Sequence, residues 1–326
     1  MSTVYRNAVI TISATASRSG DEGLFRQSPE VLVRSRMKRS PTFVFRAARI
    51  HMGGHPFEQE EFPLLSRAWG LQERLLPLRV LHFTNAELVF ECLEEHRCEC
   101  KGTWGNTGAF KWRTKPFKLH LRKRISRSES LDAWKETVME YSTRQLTYAS
   151  DKLVAIAGLA KNFAEPGDRY LAGLWESGLI EHLQWFVYND QSQIQERPTW
   201  RAPSWSWAAI KTQFWYHTGI SSIDPSEYGA ATAKVLNCSV VSENTDTYGE
   251  ILSGTLQLLA RFTEVIWERK RIARKPDDWR GSHYDHDCIT FPSGHSRAFY
   301  LDALIDDIPS PGTKSKDTDI ACVLLV

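Results

Sequence analysis

The chain of 326 residues is 42% hydrophobic and 25% charged, as is ordinary for a soluble globular protein, and its length suggests about two domains. A net charge of +2 gives no global signal for nucleic acid or a membrane surface, so neither is a predicted partner. No run of about 18 apolar residues occurs, so no membrane-spanning helix is expected. The six cysteines do not resemble a disulfide framework and no signal peptide opens the chain, which predicts free thiols and a reducing, cytoplasmic location.

The first part of the chain predicts a mixture of short strands and helices. Ser66 is a good N-cap, and Pro77 ends the helix that follows it. β-branched residues and turn formers place the remaining elements. In chain order we predict a helix end (3–7), a buried strand (8–14), a loop-rich stretch (17–63) with one extended segment (42–46), a helix (67–76) and a hairpin (79–84 with 87–92).

The middle of the chain is rich in tryptophan and has helical periodicity. The end has short apolar stretches that glycine, aspartate and proline separate, which predicts strands. The expected elements are a helix around 131–141, a helix from Asp151 to Phe163, a third helix (170–186), a strand (203–210) and four later strands (233–241, 251–262, 297–304 and 320–326). The predicted fold is therefore mixed α and β.

One segment combines polar and apolar residues in a way that packing alone rarely produces. Gln72, Glu73 and Arg74 follow one another between Trp69 and Leu75, about two turns of the predicted helix. A segment with only a structural role would seldom place three long polar side chains there. This block is therefore the candidate functional segment of the chain.

This block resembles a motif of the fungal heterokaryon-incompatibility (HET) domain, and further blocks resemble that family in the same order. Together they cover most of residues 4–210, and their order and spacing make the resemblance specific. The blocks are Val4-Tyr5-Arg6-Asn7-Ala8 with Ile10–Ala14 and Gly23-Leu24-Phe25; Arg67–Leu76 with Arg79–Phe83 and Phe90-Glu91-Cys92; Tyr141–Tyr148, Asp151–Ala160 and Tyr170–Trp175; and Arg197-Pro198 with Arg201–Ala208.

The resemblance implies three regions. They are a partial HET domain (1–128), a helical Trp-rich accessory region (129–215) and a β-rich carboxy-terminal region (216–326). Two amino-terminal segments of the family, of the form YxaLSYxWG and LWIDxLCIxQ, have no counterpart here. The resemblance therefore implies an amino-terminally truncated domain, the remnant of a flavodoxin-like α/β fold related to the Toll/interleukin-1-receptor (TIR) fold.

The resemblance also suggests a chemistry for Glu73. Some TIR proteins cleave NAD with a glutamate in a Trp-x-x-x-Glu context, and Trp69 and Glu73 have that spacing. Residues four apart share a helix face, so Trp69 could form a pocket wall beside a catalytic Glu73. That carboxylate could stabilise the positive charge that develops as nicotinamide leaves. The alternative is structural: Glu73 pairs with Arg67, Arg74 or Arg79.

Other motifs give no further chemistry. The Cys/His groupings lack the paired spacing of zinc sites, so no metal site is predicted; they are Cys92, His96, Cys98 and Cys100, and His283, His286 and Cys288. Ser204 and Ser206 alternate with tryptophans and are interpreted as core packing. No phosphate-binding glycine loop occurs, so no cofactor is predicted.

The function that the resemblance implies is non-self recognition linked to programmed cell death. We expect signalling through protein partners or self-association rather than catalysis. NAD is a possible substrate only under the alternative of a TIR-like NAD glycohydrolase. A second alternative is an inactive HET-derived fragment.

Overall fold

The computed structural model describes residues 2–26, 30–34, 42–46, 62–85, 87–93, 96–99, 125–187, 199–216, 233–243, 246–259, 261–273, 283–290, 296–299 and 320–325. For the strands at 30–34 and 42–46, for His96 and Cys98, and for all strands after residue 260, the description covers the backbone only. The fold is mixed helix and sheet, which confirms the general class. The chain forms two compact units, Met1–Phe163 and Ala164–Val326. Their division falls within the region 129–215 that the sequence predicts as one segment.

A four-stranded sheet organises the first unit. In spatial order its strands are β1 (Thr11–Ser13), β4 (Arg79–Phe83), β5 (Leu88–Cys92) and β6 (His96–Cys98). β1 pairs in parallel with β4, whereas β4, β5 and β6 pair antiparallel in succession. The hairpin predicted over 79–92 is thus confirmed. A separate antiparallel pair comprises β2 (Glu30–Arg34) and β3 (Thr42–Arg46), of which only β3 was predicted.

The strand predicted as buried at 8–14 is shorter and lies at the edge of the sheet. Ile12 is 60% exposed and Val9 is 79% exposed, because no described residue covers that side of β1. Ser13 faces inward and is buried. The expectation of a fully buried strand is therefore wrong.

In the described part of the first unit, six α-helices accompany the sheet. They are α1 (Ser2–Arg6), α2 (Pro63–Ser66), α3 (Ala68–Leu75), α4 (Arg127–Ser142), α5 (Asp151–Val154) and α6 (Ala157–Ala160). The helix predicted over 67–76 begins one residue late, because Arg67 is extended and forms a parallel bridge with Gln145. Ser66 consequently ends α2 and donates a hydrogen bond to the Pro63 carbonyl at 2.7 Å, instead of capping α3. α3 ends just before Pro77, as predicted.

The long helix α4 confirms the predicted periodicity. Trp134, Val138 and Tyr141 lie on its buried face. It starts with a capping box: Ser126 Oγ accepts from the Glu129 amide, and the Glu129 carboxylate accepts from the Ser126 amide at 2.8 Å. The helix predicted from Asp151 to Phe163 is instead split into α5 and α6 by Ala155 and Ile156, both of which are fully buried.

The second unit begins with a small hairpin where the sequence predicts a helix. β7 (Tyr170–Leu171) pairs antiparallel with β8 (Leu174–Trp175). Ala172 and Gly173 between them have φ of 51° and 98°. Two successive residues with positive φ are typical of a two-residue hairpin turn and are incompatible with a right-handed helix. The only α-helix in the described part of 170–186 is α7 (Leu179–His182).

The remainder of the second unit is rich in strands, as predicted. An antiparallel pair comprises β9 (Lys234–Ser242) and β10 (Ile251–Leu259). A four-stranded antiparallel sheet has the order β13 (Ser296–Phe299), β12 (His283–Thr290), β11 (Arg261–Ala273) and β14 (Ile320–Leu325). β12 and all but the first two residues of β11 were not predicted, and residues 300–304 of a predicted strand lie outside the described residues. The predicted strand at 203–210 is a turn and a 3-10 helix (Trp207–Ala209).

Candidate functional site

The two residues that the sequence singled out lie together on α3. The other six residues of this helix are buried, whereas Trp69 and Glu73 are partly exposed. Four residues separate them, so they share one face of the helix. The structure therefore gives Glu73 a solvent-accessible position beside an aromatic ring, which is a geometry that a binding or catalytic carboxylate needs.

Two neighbouring elements hold this face. The Trp69 indole Nε1 donates a hydrogen bond to Asp151 Oδ2 at 3.3 Å, which joins α3 to α5. Helix α1 also lies against α3. Partial burial raises the pKa of Tyr5 in α1, and the negative charge of the nearby Glu73 raises it further. The Tyr5 phenol therefore stays protonated at neutral pH.

The expected pairing of Glu73 with arginine is not seen among the described residues. Arg74 instead points to the interior, where its Nε donates to Glu91 Oε2 at 2.9 Å. Gln72, the remaining polar residue of the block, donates through Nε2 to the Ala155 carbonyl. Adjacent polar residues of one helix thus have different roles: Gln72 and Arg74 bind the interior, and Glu73 faces outward.

Beneath α3 lies a chain of buried polar side chains that the sequence analysis missed. Glu91 Oε2 also contacts His82 Nε2 at 3.1 Å, and His82 Nδ1 contacts Thr15 Oγ1 at 2.9 Å. Thr15 Oγ1 in turn lies 2.9 Å from Ser13 Oγ. The chain therefore runs from β1 through β4 and β5 to α3. The signal that could have found it is strand alternation, because His82 and Glu91 occupy inward positions of their strands.

The same buried chain continues to α4. Arg74 Nη1 lies 3.9 Å from Glu140 Oε1, and Arg144 Nη2 lies 2.7 Å from the same oxygen. Arg144 also donates to the Leu65 carbonyl. The two guanidinium groups and the two carboxylates balance in charge, which is what the low dielectric of an interior requires.

The order hydroxyl, imidazole, carboxylate in this chain is that of a nucleophile relay. Thr15, His82 and Glu91 are all 0% exposed, however, so no substrate can reach the hydroxyl. The role of these groups is therefore structural. Their mutual hydrogen bonds fix the positions of β1, β4 and β5 beneath α3.

The Ser-Trp-Ser-Trp motif of the second unit also has a packing role. Ser206 Oγ donates to the Ala172 carbonyl at 2.5 Å, and Trp207 Nε1 donates to the Gly173 carbonyl at 3.1 Å. Trp207 stacks on Phe214 with ring centroids 5.3 Å apart. The packing interpretation is confirmed for the buried Ser206, whereas Ser204 is exposed.

Among the residues whose side chains the structure describes, no group of three or more His, Cys, Asp or Glu residues is placed to hold a metal ion. Cys92 and Cys238, the two cysteines with described side chains, are thiols and not half-cystines, as predicted. Within the described residues, no helix has the length and apolarity needed to cross a membrane.

Comparison with known proteins identifies no family for this chain. No family model matches the chain, and neither a curated protein nor a solved structure matches it.

Proposed function

We propose that this protein is a HET-like signalling protein that acts through protein partners or self-association in non-self recognition and cell death. The observation that carries the proposal is that the blocks resembling the HET family contact one another. Helix α1 of the first block lies against α3 of the second, and the Trp69 indole of the second donates a hydrogen bond to Asp151 of the third. Chance matches scattered along a chain have no reason to meet in the fold.

Further contacts join the remaining blocks within each unit. The segment at Arg67 bridges Gln145, and the Gln145 amide donates to the Ser66 carbonyl at 2.7 Å. In the second unit, Ser206 and Trp207 of the last block bind the turn of the 170–175 block. Residues that carry a resemblance and also hold one another in place are what a shared TIR-like ancestry would preserve, which supports the interpretation of the first unit as part of such a domain.

The decisive experiment is inducible expression of the full chain in a filamentous fungus, with viability as the readout. We expect cell death on induction of the wild-type chain. Glu73→Gln should remain toxic, because signalling by assembly does not need the carboxylate. Glu181→Gln, which removes an exposed helical carboxylate from the second unit, is the matched control. Loss of viability in none of the strains, with soluble protein at equal levels, would support the inactive-fragment alternative.

A second candidate function has one specific observation in its favour. Trp69 and Glu73 are the two partly exposed residues of an otherwise buried helix, and they share a face. A TIR-like NAD glycohydrolase would use Glu73 to stabilise the oxocarbenium-like state, with Trp69 as a pocket wall. This alternative predicts nicotinamide release from NAD by the purified chain and its loss in Glu73→Gln. Turnover that persists in Glu73→Gln would exclude Glu73 as the catalytic carboxylate.

A further inference from the structure

The antiparallel pair of β11 and β12 brings three residues with metal-binding chemistry to one face of the four-stranded sheet in the second unit. Glu268 of β11 stands directly opposite Cys288 of β12 in the register. His286 precedes Cys288 by two residues on the same strand, and residues two apart lie on the same face. Directly opposed residues of an antiparallel pair also share a face. A carboxylate residue, a thiol residue and an imidazole residue therefore occupy neighbouring positions.

The spacing of these three positions suits a single metal ion. Directly opposed positions of an antiparallel pair lie about 5 Å apart, and positions two residues apart on one strand lie about 7 Å apart. The remaining distance, the diagonal from Glu268 to His286, is about 7–8 Å. Zinc takes its ligand atoms at about 2.0–2.3 Å, so three ligand residues around one ion need positions as close as these.

Charged residues on the opposite face favour the same register. There Arg269 stands opposite Asp287, and Arg271 stands opposite Asp285. Opposite charges at directly opposed positions stabilise an antiparallel pair. A shift of the register by one residue would separate both pairs and move the residues of one strand to the other face. The two charge pairs therefore support the register that brings the three metal-binding residue types together.

We propose that the positions of Glu268, His286 and Cys288 form a binding site for a divalent metal ion, with Zn²⁺ preferred. Thiolate, imidazole and carboxylate are the ligand types that zinc takes in proteins, whereas Mg²⁺ and Ca²⁺ take oxygen ligands. Three protein ligands leave the fourth tetrahedral position to water or to a group of a partner. Spacing along the chain predicts no such site, because Glu268 comes from the neighbouring strand. The site does not rest on the proposed signalling function.

One residue of the same face opposes a bound cation. Lys270 stands directly opposite His286 in the register. Its positive charge repels a divalent ion at these distances, even in the high dielectric of water. Lys270→Gln should therefore tighten zinc binding roughly threefold, a change that a site elsewhere in the chain would not show.

Metal titration of the purified, reduced full-length chain tests the site. The chain is first treated with a chelator and then titrated with Zn²⁺ against a chromophoric competitor, or with Co²⁺, whose absorption reports a thiolate ligand. We expect about one equivalent to bind to the wild type. Cys288→Ser should weaken binding by more than about 100-fold, because even residues that only support metal ligands contribute about 10- to 100-fold. Glu268→Gln, which keeps the size of the side chain, should also weaken binding.

Cys322→Ser is the matched control. Cys322 of β14 also stands opposite a glutamate of β11, Glu264, but the residue two positions before it is Ile320 and not a histidine. This variant should bind zinc as the wild type does. The proposal is overturned if the folded wild type binds neither ion, or if Glu268→Gln binds zinc as tightly as the wild type. Equal losses in Cys288→Ser and Cys322→Ser would overturn it too, because binding would then not depend on the register.

Discussion

Replacing Arg74 tests the buried polar chain most severely. Arg74→Met keeps an unbranched apolar stem but removes the guanidinium group, so Glu91 and Glu140 each lose a cationic neighbour. Glu91 is 0% exposed and its Oε2 lies 2.9 Å from Arg74 Nε, so the substitution leaves a buried carboxylate without this cationic partner. Breaking a buried pair from one side destabilises by about 3–5 kcal/mol. His82 stays bound to the same oxygen, which favours the lower end, about 3 kcal/mol.

Urea denaturation of the full chain, followed by circular dichroism and tryptophan fluorescence, measures this loss. With a slope of about 2 kcal/mol per molar urea, a loss of about 3 kcal/mol lowers the midpoint by about 1.5 M. Arg26→Met is the control, because Arg26 pairs with Glu22 at the same 2.9 Å but on the surface. That variant should lose less than about 1 kcal/mol.

A double variant shows whether the loss comes from the unpaired charge of Glu91 or from the altered packing at position 74. Arg74→Met with Glu91→Met removes both charges, so it should recover much of the stability that Arg74→Met alone loses. If Arg74→Met proves no more destabilising than Arg26→Met, the buried chain does not stabilise the first unit and the reasoning fails.

Three further predictions concern single residues. Gly173 has φ 98°, and a Cβ there would lie 2.8 Å from the Trp207 ring, so Gly173→Ala should destabilise by about 2–4 kcal/mol. Gly167 has φ 85° but faces open space, so the control Gly167→Ala should lose only about 1 kcal/mol. Equal shifts in melting temperature would refute the steric argument. Ser126→Ala should lower stability by about 1 kcal/mol in urea through loss of the α4 capping box, and no loss would mean that the box is dispensable. Burial raises the pKa of Tyr216 in the folded chain, so above about pH 10 the unfolded phenol ionises while the folded one does not, and the free energy of unfolding falls as the pH rises. Tyr216→Phe should flatten this alkaline decline in melting temperature, and it also loses the hydrogen bond to the His182 carbonyl. An unchanged decline would contradict the prediction.

Local sequence signals predicted the elements whose stability is mostly local. The helix around 131–141 has a periodic apolar face and its own cap, and the hairpin at 79–92 has apolar strands around a short turn; both are confirmed. Long-range contacts decided the departures. The predicted helix at 67–76 begins one residue late because Arg67 pairs with Gln145, a residue far away in sequence. The predicted helix at 170–186 opens instead with a hairpin, whose turn at Ala172 and Gly173 accepts hydrogen bonds from Ser206 and Trp207 farther along the chain.

The candidate site was likewise predictable only where its residues lie close together in sequence. Helical spacing was sufficient to place Trp69 and Glu73 on one face, because both lie within a single helix. The elements next to that face come from elsewhere in the chain: α1 lies against α3, and Asp151 of α5 accepts from Trp69. Periodicity carries no information on which distant element docks. The buried chain through His82 was missed for the same reason, since its members come from several elements of the first unit.

Viability of a filamentous fungus on induced expression is the measurement that tests the central claim most directly. The wild-type chain and Glu73→Gln should be compared at equal levels of soluble protein, with the purified proteins assayed in parallel for nicotinamide release. The account predicts that both chains kill and that neither releases nicotinamide. Healthy growth with abundant soluble wild-type chain, or death that disappears in Glu73→Gln together with nicotinamide release, would contradict it.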